Sequence, residues 1–150
     1  MSTAQKVGEV TSFNVDTASA KVEVNGRETD TIPVLMIATK FKRHFIPLAP
    51  GDQVAISGEI DAGHVTGSFF HDGVPIPSGV SETREVIEYS DGTRIVYDIE
   101  SHILEITGAN ISIQNDVSVG GNLTVGGNIE NGGNITSAGV ITDSDGNNGA

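Results

Sequence analysis

From Gly108 onward the chain repeats every six residues. It divides without a gap into Gly-Ala-Asn-Ile-Ser-Ile, Gln-Asn-Asp-Val-Ser-Val, Gly-Gly-Asn-Leu-Thr-Val, Gly-Gly-Asn-Ile-Glu-Asn, Gly-Gly-Asn-Ile-Thr-Ser and Ala-Gly-Val-Ile-Thr-Asp, ending at Asp143. The fourth position is aliphatic in every hexad: Ile111, Val117, Leu123, Ile129, Ile135 and Ile141. The sixth is aliphatic in the first three (Ile113, Val119, Val125) and polar in the last three (Asn131, Ser137, Asp143). Alternation within a hexad, with Gly-Asn at its corner, predicts a short strand followed by a tight turn. A six-residue period predicts a β-helix or β-prism, and the fading sixth position predicts one that narrows toward its C-terminal end.

One chain has too few hexads for a stable solenoid of its own, because about three are needed per coil and at least three units must stack. Several chains pooling strands around a common axis solve this. In a homotrimer each fourth-position aliphatic meets its two symmetry mates, and the small corners let backbones approach closely. The nine aliphatics named above are therefore the candidate trimer core.

Upstream the period changes to two. Ile95, Tyr97 and Ile99 alternate with Arg94, Val96 and Asp98, which predicts a strand. Asp91-Gly92 before it is a hairpin signal, with Glu85–Tyr89 as the preceding strand and His102–Thr107 as the following one. Five more strands are predicted at Val7–Phe13, Ala20–Val24, Thr31–Ala38, Gln53–Glu59 and His64–Phe70, punctuated by Asn25-Gly26, Pro50-Gly51-Asp52 and Asp61-Ala62-Gly63. Five short strands in about 70 residues fit a small closed barrel, of which the OB-fold is the five-stranded type. The predicted class is all-β. A barrel spans 1–74, a linker 75–81, a β-meander neck 82–107, the hexad spike 108–143 and a tail 144–150.

Composition reinforces the division. All 8 Lys and Arg, all 4 His and every aromatic lie before residue 108, and the rest of the 150-residue chain is rich in Gly and Asn. A stretch so poor in large side chains has little means of forming a globular core alone. The net charge of −12 opposes nucleic-acid binding, because a polyanion is bound through Lys and Arg. Without Cys there are no disulfides or thiolate metal sites. No apolar run approaches the ~20 residues of a membrane span, and Met1–Lys6 lacks the apolar stretch of a signal peptide.

The order of these parts resembles the baseplate assembly protein V family, the central spikes of contractile phage tails. The residues that carry the resemblance are Gly8-Glu9-Val10-Thr11-Ser12, Ala20-Lys21-Val22-Glu23-Val24, Ile32-Pro33-Val34-Leu35 and Pro50-Gly51-Asp52-Gln53-Val54. They are followed by Asp91-Gly92-Thr93, Tyr97-Asp98, His102-Ile103-Leu104 and then the hexads. The resemblance implies an OB-fold docked to a baseplate hub and a C-terminal trimeric β-helix that pierces the host envelope when the sheath contracts. It implies a location on the tail axis of a virion, and contact with the envelope that is only transient. Spikes of this family often end in a His-x-His motif that holds iron at the apex. The last His here is His102, so the expected apex is blunt or capped by a separate tip protein. The alternative is a peripheral trimeric fibre that binds a receptor.

Little else in the sequence points to chemistry. Asp143-Ser144-Asp145-Gly146-Asn147-Asn148 has the oxygen spacing of a Ca²⁺ loop's start but lacks the Glu that closes an EF-hand, and a solvated tail is its ordinary reading. His64 and His71 would fall on opposite faces of a regular strand, which disfavours a shared metal. Hexapeptide acyltransferases use a His within their coils, and none follows residue 102. No catalytic, cofactor or metal residue is assigned, and a non-enzymatic protein is expected. Lys40, Phe41, Lys42, Arg43, His44 and Phe45 form the one basic cluster. It reads either as a solvated loop or as a docking loop for an acidic partner.

Overall fold

A computed structural model describes residues 5–142. They are all-β, and no helix occurs among them. The described residues separate into two compact units, divided between Ala109 and Asn110.

The first unit begins with β1 (Lys6–Asn14), β2 (Ser19–Val24), β3 (Arg27–Glu28), β4 (Ile32–Pro33), β5 (Ile37–Ala38) and β6 (Arg43–His44). It continues with β7 (Gln53–Ser57), β8 (His64–Ser68), β9 (Arg84–Glu88), β10 (Arg94–Asp98) and β11 (Ile103–Thr107). The main sheet runs β3-β2-β1-β7-β8, with β4 also on β2. Alternation drives its folding. Val22 and Val24 of β2, and Val54 and Ile56 of β7, point to one face and are buried with Val10, Ala20, Ile32 and Val65. Phe13, Val34 and Leu48 pack against this cluster.

Two local devices shape the sheet. Asn25 and Gly26 both have positive φ (53° and 80°), the backbone of the tight turn their dipeptide predicts, and they fold β3 back on β2. On β1 the register slips between Val10 and Ser12, so Thr11 is the extra residue of a bulge. Its hydroxyl donates to Glu28 Oε2 at 2.7 Å, and Lys21 Nζ meets Oε1 of the same carboxylate at 3.1 Å.

The closed barrel expected over residues 1–74 is not closed. The strand expected at Thr31–Ala38 breaks into β4 and β5, with the gap between β4 and β8 spanned by a single parallel bridge, Val34 to Val65. Pro33 has no N–H to offer a ladder. Beyond it the chain changes partner: Val34 N–H donates to Ala18 O at 2.9 Å, and Leu35 N–H to Val65 O at 2.8 Å. It then turns away to form the separate β5–β6 hairpin.

β9, β10 and β11 form the predicted antiparallel meander, with β10 central. At its end Gly108 has φ of +81°, and a Cβ there would lie 3.0 Å from Thr93 Cα. A residue without a side chain is thus required where the chain leaves the sheet.

Candidate interaction surfaces

Ladder register divides the meander into two unlike faces, because directly opposed residues in an antiparallel pair point the same way. Ile87, Ile95 and Ile106 form one row across the three strands, and Glu85, Tyr97 and Leu104 the next. The opposite face carries Glu88, Arg94 and Thr107, then Val86, Val96 and Glu105, then Arg84, Asp98 and Ile103. On that face Arg94 pairs with Glu88 at 3.1 Å and Arg84 with Asp98 at 3.5 Å. Arg94 also donates to the Ser78 carbonyl at 2.6 Å, tying the preceding segment down, and Val96 is buried. The Ile-rich face has no such cover. Leu104 is 62% exposed, and Ile87, Ile106 and Tyr97 are also exposed.

Along the hexads, bends fall at the first two positions of five of the six (108–109, 120–121, 126–127, 132–133, 138–139) and at Asn115 in the remaining one. The six-residue period is therefore a period of the backbone. No strand forms among residues 108–142, and every one of the nine candidate core aliphatics is exposed in the single chain, Leu123 by 71%. Val140, in a third position that is otherwise Asn or Asp, is exposed as well.

The sixth positions serve a purpose the hexad pattern did not suggest. Asn131 accepts from Gly133 N–H at 3.2 Å and donates from Nδ2 to Gly133 O at 2.9 Å. Ser137 does the same at Gly139, at 3.1 and 3.0 Å. These polar side chains clasp the glycine corner that follows them, an Asx- or Ser-turn device. The signal was present as Asn-Gly-Gly and Ser-Ala-Gly.

The basic cluster is a formed hairpin. Ile37 pairs with His44 and Ala38 with Arg43. Thr39 closes the loop: its N–H donates to Lys42 O at 2.9 Å, and its hydroxyl accepts from Lys42 N–H at 3.0 Å. Phe41 stands at the tip, 98% exposed. Phe45 does not join it; its ring lies 5.9 Å from that of Phe13 and secures the hairpin's base to β1. Beside the hairpin lies an apolar cleft of ≈ 380 Å³ lined by Leu35, Ile37, Ile46, Leu48 and Val65, with His44 at its edge.

The histidines are apart in role. His64 opens β8, whereas His71 Nδ1 accepts from Gly73 N–H at 3.2 Å in a small turn bridged to Val74. Among the described residues no group of three His, Asp or Glu is placed to hold a metal. The Asp143–Asn148 segment lies outside the described residues. Among the described residues no helix is long and apolar enough to cross a membrane.

No family model matches the chain, and no curated protein matches its sequence.

Proposed function

We propose that this chain is the subunit of a homotrimeric central spike, which docks through its N-terminal unit to the hub of a contractile tail baseplate and pierces the host envelope mechanically. The observation that carries this reading is apolar exposure within each unit, on the Ile-rich face of the meander and at the nine hexad aliphatics. The uncovered Ile87-Ile95-Ile106 face of the meander ends in β11, and β11 leads in sequence directly into the exposed aliphatics of the hexads. Apolar patches beyond a few hundred Å² are rare on monomers and mark interaction sites. Each aliphatic removed from water contributes about 1.5–3 kcal/mol, so a threefold axis along the hexad aliphatics supplies a large driving force.

Trimerisation also accounts for the missing ladders. Hexads from neighbouring chains donate to and accept from one another, and closure around the axis leaves no open sheet edge. Such a prism is stiff, which is what driving it through an envelope requires. The polar sixth positions leave only the fourth-position aliphatics Ile129, Ile135 and Ile141 of the two repeating positions for the axis in the last three hexads, in keeping with a taper.

The OB-fold reading of the N-terminal unit rests on pairing order. β1 lies between β2 and β7, β4 follows β2, β8 follows β7, and Val34 beyond β4 meets Val65 of β8 in parallel. This cyclic order of five strands, with one weakly joined seam, suits a partly open Greek-key barrel. No enzymatic step enters the mechanism.

Locating the protein in an intact particle tests the assignment. A spike occupies the tail axis as one trimer per particle. Repeated copies at the periphery would instead identify a receptor-binding fibre.

A further inference from the structure

The chain's cations are distributed unevenly with respect to its anions. Lys21, Arg27, Arg84 and Arg94 are each paired with a carboxylate, and Lys6 donates to the Gly58 carbonyl at 2.7 Å. Among the described residues, the side chains of Lys40, Lys42 and Arg43 have no acidic or hydrogen-bonding partner. In a chain of net charge −12, the three unpaired cations all sit on one hairpin, around a phenylalanine that touches almost nothing. Charges left unpaired amid an excess of carboxylates mark a surface shaped for something outside the chain.

We propose that the Thr39–Lys42 tip is a docking site for a second protein, one that presents an acidic segment whose carboxylates flank apolar side chains packing on Phe41. The adjoining cleft, lined by Leu35, Ile37, Ile46 and Leu48, receives an apolar side chain from the same partner. Three features of the site select this occupant. The cations call for an anionic surface, and their long-range field raises the encounter rate. The convex tip and concave cleft lie side by side, so one acidic segment with apolar side chains at its centre can cover Phe41 and fill the cleft together; a fluid lipid surface accepts Phe41 but leaves the cleft empty. A nucleic acid would be repelled by the rest of an acidic chain. The hairpin is also prepared in advance, because Thr39 closes its loop and Phe45 holds its base against Phe13, so little ordering entropy is lost on docking. This inference does not depend on the spike reading, since the unpaired cations and the exposed ring stand whatever the protein's role.

The test measures binding of a labelled peptide, Glu-Glu-Leu-Leu-Glu-Glu, to the full-length chain by fluorescence anisotropy, beside its Gln-Gln-Leu-Leu-Gln-Gln counterpart. The acidic peptide is expected to bind with an affinity that falls as salt rises, and the neutral one to bind much more weakly. Phe41→Ala should weaken binding by roughly tenfold, the scale of a buried aromatic anchor, and the combined change Lys40→Glu, Lys42→Glu, Arg43→Glu should abolish it. All four positions are exposed, and an unchanged circular dichroism spectrum verifies that the variants fold. Equal binding of variants and wild type, or no binding of the acidic peptide at all, overturns the proposal. So does tighter, tip-dependent binding to phosphatidylglycerol vesicles or to single-stranded DNA, which would make the partner a membrane or a nucleic acid. Loss of self-association in the charge-reversed chain would make it a second copy.

Discussion

Ile95 stands directly opposite Ile106 across the β10–β11 ladder, and the face they share carries no ion pair. One residue along, Arg94 turns to the other side, where it holds Glu88 and the Ser78 carbonyl. A three-stranded sheet in solution would be expected to bury its apolar face, yet Ile87, Ile106 and Leu104 stay exposed, and the one buried residue of the sheet, Val96, lies on the other side.

Ile106→Asp should therefore prevent self-association while leaving the first unit folded. Three carboxylates would be brought together at an apolar contact, and an unpaired buried charge costs several kcal/mol. Glu105→Ala, on the opposite face of the same strand, should leave the assembly intact. Sedimentation of both variants checks the pair, and an associated Ile106→Asp chain would show that this face is not the contact.

Leu123→Asp applies the same logic to the hexads, at the most exposed of the nine core candidates. It should open residues 108–142 to proteolysis while the meander and N-terminal unit stay protected. Wild-type resistance in this variant would mean that the hexad column is not the core.

Gly8→Ala tests the N-terminal packing. A Cβ at Gly8 would lie 2.5 Å from Glu23 O and 2.6 Å from Val22 Cγ1, so β1 or β2 must shift. Overpacking of this kind costs about 1–3 kcal/mol. The expected outcome is a lower urea midpoint for the first unit with its spectrum otherwise preserved; an unchanged midpoint would show that the strands yield freely.

Acid sensitivity follows from two carboxyls. The Thr11 hydroxyl, and next the Lys21 ammonium, hold Glu28 below its ordinary pKa; the Thr93 backbone N–H and side chain hold Asp91 below its own. A depressed folded-state pKa gives stability that is complete above the unfolded-state pKa and is lost as pH falls through the folded value. The urea midpoint, at fixed protein concentration, should thus decline as pH drops through and below the usual carboxylate range. Glu28→Gln with Asp91→Asn should shallow that decline, by a small amount because both groups are exposed. An identical acid slope would contradict the assignment.

The strands that alternate cleanly were legible in the sequence. Val22 and Val24, Val54 and Ile56, and the Ile95-Tyr97 row announce their faces by period alone, and Asn25-Gly26 announces its turn. Pro33 inside Thr31–Ala38 signalled a break that the apolar character of the stretch masked, and the change of partner beyond it, Val34 to Ala18 and Leu35 to Val65, was not legible. The basic segment was visible as a cluster, but composition could not separate Phe41 at the tip from Phe45 at the base. Asn131 and Ser137 read as a loss of apolar character; their bonds to the following glycine corner depend on backbone geometry that spacing does not encode.

Native mass spectrometry of the full-length chain tests the central claim most directly. The account predicts a species of three times the 15.6 kDa chain mass, persisting at low concentration and converted to monomer by Ile106→Asp. A wild-type chain that remains monomeric would contradict it.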